Sequence, residues 1–334
     1  MRRVMLLTLL LLCGAEACLA GDMEIAPFRT VNQRPLVQIF GLPAETSATI
    51  TPAGHLSFAL TQDVASEYTV NSTSSEQIVL DGESYRWTLA ARYGIGERFE
   101  AGLEIPYILY GGGFLDGFIE DWHSAFGMPQ GGRDTAPKNR LKYAYSKNGL
   151  QKLNMTHAGS GIGDMQLSAA MKLYDDQDNS AHDSLALRTS VKLPTGESGS
   201  LRGSGSTDFS LALCGSMNAF TEWGALGLYG SLGGVAMTRG EVLADQQNNL
   251  VGFGTLGLGW GPTEWISFKL QLNGNTALYH GSSLLELSKG SLMLVSGGAV
   301  KLPGDYLLDI GVSEDVAVAT APDVAFHLGL SKRF

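Results

Sequence analysis

Beyond residue 20 the chain has no apolar run approaching the roughly twenty residues that a helix needs to cross a bilayer, so a helical membrane protein is excluded. Cysteine is nearly absent: of three residues only Cys214 lies past that point, and no internal disulfide can form there. Charge is scarce as well, at 17% of residues, against about a quarter in ordinary soluble domains. The balance is acidic, with a formal net charge of −10, which argues against a nucleic-acid partner because phosphate binding needs a basic face. No histidine pair or carboxylate cluster has metal-ligand spacing, and the glycine-rich loops lack the strand–helix setting of nucleotide sites, so no cofactor is expected. What the chain does have is glycine, 43 residues of it, and a mean hydropathy near zero. Both suit a transmembrane barrel, whose lipid-facing and lumen-facing residues alternate and average out.

The first twenty residues read as a cleaved secretory signal peptide. Arg2 and Arg3 precede the apolar stretch Leu6–Leu12, and Cys18-Leu19-Ala20 offers a small-residue exit before Gly21. A lipid-modified Cys18 is the alternative, and Glu16 fits such an attachment site badly. Residues 21–53 are too proline-punctuated for a plain tail. They fit an N-terminal periplasmic extension, or a plug tucked into the lumen.

From 54 to 334 the pattern is alternation. Ile266, Phe268, Leu270 and Leu272 fall on one face and Ser267, Lys269, Gln271 and Asn273 on the other. Similar alternation marks strands near 54–63, 77–93, 98–109, 162–174, 184–194, 207–218, 225–237, 248–260, 265–279, 288–301, 306–316 and 322–334. The expected fold is therefore all-β, a closed antiparallel transmembrane β-barrel of about twelve strands. Glycine-rich 225–237 and poorly alternating 248–260 leave ten or fourteen open. Phe99, Trp223, Trp265 and Tyr306 each follow an acid at a strand start, as one side of an interfacial aromatic girdle would. An even strand count puts both barrel ends in the periplasm, with short turns there and longer loops near 64–76, 109–161, 195–206, 238–247 and 280–287 outside. The terminal strand ends on Phe334, which is similar to the signal read by the barrel assembly machinery. The expected location is the bacterial outer membrane, among its lipids and lipopolysaccharide.

Three features are candidates for function. In the long external loop, Phe114, Leu115, Asp116, Phe118, Ile119, Glu120, Trp122 and His123 form a short amphipathic helix, read as a cap or constriction folded over the mouth or as a helix packed on its own loop. The basic stretch Arg133, Lys138, Arg140, Lys142, Lys147 and Lys152 follows, placed to meet lipopolysaccharide phosphates or anionic solutes, or simply solvated. Third, Arg86, Arg92, Glu100, Glu104, Arg188, Lys192 and Lys269, with Lys172, Asp208 and Asp309, are expected to face the lumen, since charge on the lipid face costs about 2–4 kcal/mol at the midplane. They either form an internal ion-pair network or line a wet path. His182-Asp183-Ser184 has the His-x-Ser spacing of outer-membrane lipid hydrolases, but Ser184 falls on the lumen side.

Pro27-Phe28 with Asn32-Gln33-x-Pro35-Leu36, then Ile105-Pro106-Tyr107, then Gly112-Gly113-Phe114-Leu115-Asp116-x-x-Ile119-Glu120-x-Trp122-His123 resembles an uncharacterised family of Gram-negative outer-membrane barrels. The resemblance covers most of the chain. It implies a barrel of about twelve strands and no known substrate. Lys192-Leu193-Pro194-Thr195-Gly196 is similar to a corner of barrels proposed to take up aromatic or hydrophobic compounds. The function expected is a passive channel or facilitator for small molecules, hydrophobic ones included, with no enzymatic activity. A sealed barrel supporting envelope integrity and a lipid hydrolase are the alternatives.

Overall fold

The computed structural model describes residues 23–127, 132–178, 180–317 and 320–334; the leader-like residues 1–20 lie outside them. The chain forms β1 (Leu56–Ser72), β2 (Glu76–Ile95) and β3 (Phe99–Gly111), then helix α1 (Leu115–Phe126). Three short strands follow, β4 (Lys142–Lys147), β5 (Leu150–Met155) and β6 (Gly159–Ile162). The rest is β7 (Gln166–Gln177), β8 (Ala181–Lys192), β9 (Asp208–Thr221), β10 (Gly224–Met237), β11 (Leu250–Thr263), β12 (Ile266–Asn275), the helical turn α2 (Leu285–Ser288), β13 (Ser291–Leu302), β14 (Tyr306–Ala317) and β15 (Val324–Arg333). All except β4–β6 pair in sequence order as a ring of twelve antiparallel strands, shut by β1 on β15 from Ser57↔Arg333 to Ser66↔Val324. The glycine-rich pair β10–β11 takes part fully, from Ala225↔Gly261 to Ala236↔Leu250.

Burial in this ring is inverted relative to a soluble sheet. Phe268 and Leu270 on β12 are 52% and 46% exposed, while Ser267, Lys269 and Gln271 between them are at most 3% exposed. Apolar side chains cover the outer wall and polar ones line the inner wall, as a lipid-facing barrel requires.

The two ends differ. At one, the turn end, links are short: Gly304 and Asp305, both at positive φ, reverse the chain between Leu302 and Tyr306. Phe99, Trp223 and Trp265 are exposed there. The other, the loop end, carries the long connections. The segment 64–76 is not a long loop. β1 and β2 stay paired out to Ser72↔Gln77, forming a projecting hairpin. Beyond Gly111, β4 takes over from β3 as the partner of β2, from Asp81↔Lys142 to Glu76↔Lys147, and so extends the wall.

Candidate functional site in the lumen

Residues 23–53 run inside the ring. They carry no strand of their own, and an extended backbone inside a protein must still satisfy its N–H and C=O groups. Side chains of the inner wall do this. The Ile25 N–H donates to Asn218 Oδ1 at 2.9 Å, and the Phe28 N–H donates to Gln271 Oε1 at 2.8 Å. Lys269 Nζ donates to the Ala26 carbonyl at 3.0 Å, and the Gly41 N–H donates to Asp208 at 2.7 Å. The Thr51 N–H and hydroxyl both donate to Glu100 Oε2 at 2.7 Å. The segment reverses at a turn where Val37 and Gln38 N–H donate to the Arg34 carbonyl. That tip, Leu36, Val37, Ile39 and Phe40, packs into an apolar core at the loop end with Ile78, Leu80, Tyr143 and Tyr279. Near the turn end, glycines make room: a Cβ on Gly227 or Gly259 would collide with the Ile25 side chain.

Apart from Lys172, the charged residues expected in the lumen point inward, and most are engaged with partners on the segment or on one another. Arg188 pairs with Glu100 at 2.8 Å, while Arg92 lies 3.7 Å from Glu100 and 3.4 Å from Glu104. Arg29 of the segment closes on Glu104 at 2.6 Å. Lys192 sits between Asp164 at 2.5 Å and Asp208 at 3.3 Å, and Lys269 is bonded to Asp309 with its ammonium 4.0 Å above the Phe28 ring. Arg86 donates to the Gln38 carbonyl at 3.3 Å. Lys172 is the exception, pairing with Asp175 near the turn end. Free space remains between the segment and the wall, including cavities beside Thr30, Val31 and Leu42. One cavity beside Pro43, Glu45, Arg92, Arg188 and Phe253 amounts to about 40 Å³, room for roughly three waters.

Helix α1 does not lie across the mouth. Its N-terminus is held from the outer wall: Glu83, whose strand neighbours Ser84 and Arg86 face inward, accepts from the Phe114 and Leu115 N–H groups. The Phe118 ring packs edge-on against Phe326 of β15, another outward residue, at 6.2 Å between centroids. Leu115, Asp116 and Ile119 are buried against the wall, Glu120 is half-buried, and Phe114 and Phe118 are exposed. The expectation of a cap burying its aromatics is thus corrected. Helical spacing shows which residues share a face, not what that face meets. The backbones of Trp122 and His123 continue the helix; their side chains lie outside the described residues.

The basic stretch behind α1 is spent largely on acids of this chain rather than facing outward as free charge. Arg133 bonds Asp116 and Asp323, each at 2.6 Å, and stacks on Tyr68. Lys138 meets Glu120, Arg140 meets Asp81, Lys147 meets Glu76, and Lys152 meets Asp245. The Glu120 carboxylate raises the pKa of Lys138, and Lys152 beside Asp245 holds that carboxyl below its usual range. Sequence reasoning misses Asp81 and Glu83 as part of this cluster, although their outward position just past Tyr85 is readable from the alternation.

Ser184 and His182 do not form a pair. The Ser184 hydroxyl bonds Ser216 at 2.7 Å and Thr49 at 3.3 Å, while His182 meets Asp175 at 2.9 Å. Both are buried on the lumen side. Among the described residues no group of His, Cys, Asp and Glu could hold a metal ion.

The family model described as a protein of unknown function, DUF3187, matches residues 4–334. The chain belongs to that family. No curated protein matches this DUF3187 chain. Among solved structures it is similar to the COG4313 outer membrane channel from Pseudomonas putida F1, with a TM-score of 0.52 and 12% identity over 85% of this chain and 96% of that one. LpxR from Salmonella typhimurium gives a TM-score of 0.43 at 8% identity, covering 82% and 99% of the two chains. The toluene transporter TodX of P. putida gives 0.35 at 10%, covering 85% and 91%. With the COG4313 channel the DUF3187 chain shares the closed antiparallel barrel fold.

Proposed function

We propose that this DUF3187 protein stands in the bacterial outer membrane as a passive channel or facilitator for small molecules, with residues 23–53 as the plug that keeps it closed. The turn end faces the periplasm and the loop end faces outward, so both ends of the plug open to the periplasm. The observation that carries this reading is that the ring is complete without the plug. The ladders from β1 to β15 join wall to wall, whereas the plug, apart from the Ala53–Gly94 bridge at its end, is held by side-chain bonds such as Arg29–Glu104 and Gly41–Asp208. Its departure would leave an inner wall of charged and hydroxylated side chains suited to water. Beyond this it would leave the apolar vestibule around Ile78, Leu80, Tyr143 and Tyr279. That sequence of surfaces suits small solutes with an apolar part.

Planar-bilayer recording tests the proposal. The full chain is expected to be silent or to open rarely, and deletion of residues 24–51 to give steady conductance; a second variant lacking residues 112–127 should stay as quiet as the full chain. Silence of the plug deletion after verified insertion would favour the sealed barrel, for which the dense internal ion pairing speaks. Lipid hydrolysis has less support, since Ser184 faces the lumen beside Thr49 and Ser216. Equal turnover by Ser184→Ala would remove that site.

A further inference from the structure

The register gives one outward row at the loop-end edge of the apolar belt: Phe326 of β15, Val64 of β1, Tyr85 of β2 and Leu109 of β3. The next row toward the loop end is Val324, Ser66, Glu83 and Gly111. Polarity changes between these rows, so the belt ends here. Helix α1 begins over Glu83 on β2 and reaches Phe326 on β15 by Phe118, crossing the wall at this boundary rather than running along it. Its buried side carries the polar anchors. Arg133 ties Asp116 to Ser66 and to Asp323, and the Asn139 N–H donates to Asp116 at 2.7 Å. Its other side exposes Phe114 at 69% and Phe118 at 51%, one turn apart. A helix in water would be expected to bury those rings and expose its carboxylate. This one does the reverse, as helices lying in a lipid interface do.

We propose that α1 is a membrane-interface helix, lying in the plane of the outer leaflet with Phe114 and Phe118 inserted among lipid acyl chains. The occupant of this surface is the apolar part of the leaflet, not its phosphates. The nearby cations Arg133, Lys138 and Arg140 are already paired with Asp116, Glu120 and Asp81. The helix widens the apolar belt across β15, β1 and β2 and shields Asp81 and Glu83, acids on the outward face, from hydrocarbon. This inference rests on the reading that the barrel stands in a bilayer.

The test replaces the three cysteines by serine in the full chain and labels single cysteines with an environment-sensitive fluorophore after refolding into phosphatidylcholine vesicles. Phe114→Cys is the informative site, because in the structure it is the more exposed of the two rings. Leu270→Cys, in the middle of the belt, is the control. Phe114 labels are expected to show blue-shifted emission, quenching by lipids spin-labelled near the headgroup, and protection from iodide. Leu270 labels should be quenched by lipids spin-labelled deep in the chain. A wet Phe114 label beside a lipid-quenched Leu270 label would overturn the interface helix and leave the barrel intact. A wet Leu270 label in folded protein would instead overturn the bilayer reading.

Discussion

Glu83 caps Leu115: its carboxylate accepts the first helical amide of α1 at 2.6 Å and that of Phe114 at 2.8 Å, from a strand position pointing away from the lumen. One side chain thereby joins barrel and helix, and compensates a charge that would otherwise face lipid. A carboxylate suits the place because a helix N-terminus carries partial positive charge.

Removing this cap should free the helix without opening the ring. Hydrogen bonds to a charged group are worth about 1.5–3 kcal/mol, so Glu83→Ala should speed hydrogen exchange of amides 115–120 by roughly tenfold or more. Exchange in β2 near Ala90 should be unchanged. Equal acceleration in both would mean that the wall, not the cap, had failed.

The Arg29–Glu104 pair, at 2.6 Å, is a direct ionic link between residues 23–53 and the wall. Arg29→Ala leaves Glu104 with Arg92 at 3.4 Å, so the wall keeps its charge balance while residues 23–53 lose one of their holds. The open fraction in bilayer recordings should rise roughly tenfold, matching a loss on the order of 1–2 kcal/mol. Glu104→Gln should add little to release of the segment on top of it, because Arg29 is the segment residue that Glu104 engages.

Space decides a third case. A Cβ on Gly259 would stand 2.5 Å from Ile25, so Gly259→Val should push the segment off the wall near the turn end. Protease cleavage of refolded protein is expected to increase around residues 23–30. The second change Ile25→Ala should reverse part of that increase; no recovery would show that the valine acts elsewhere.

The loop-end pair Lys152–Asp245 predicts a pH effect of definite sign. Lys152 lowers the Asp245 pKa in the folded protein, so the contribution is present above the ordinary aspartate range and is lost as pH falls through the depressed value. Asp245 is half-exposed, and the contribution should be below about 1 kcal/mol. In Lys152→Met the carboxyl should titrate nearer its ordinary value, measured by carbon NMR of labelled aspartate in micelles.

Strand count and facing were legible because lipid on one side and a polar lumen on the other enforce contrast at every second residue, as Phe268 and Lys269 show. Where the chain leaves the belt that contrast fades. Residues 64–76 keep only Val64, Tyr68 and Val70 on one face, interrupted by Ser66 and set among Thr69, Asn71 and Ser72, so the projecting hairpin reads as a loop. The amphipathic stripe of α1 was legible, whereas its lipid-ward side was not. That orientation depends on Glu83 and Asp81, far away in sequence. The proline punctuation of residues 21–53 pointed to an extension or a plug, but which of the two, and the path taken, was not legible. Its partners are single side chains on distant strands, a pattern with no period.

Those distances also impose an order in time. Ile25 and Phe28 are made before any strand, yet their partners Asn218 and Gln271 follow 193 and 243 residues later. Contacts of such long separation form late. The seam of β1 with β15 spans still more chain, from Ser57 to Arg333, so segment and seam both wait for the last strands, and the first residues made are enclosed only as the last ones arrive.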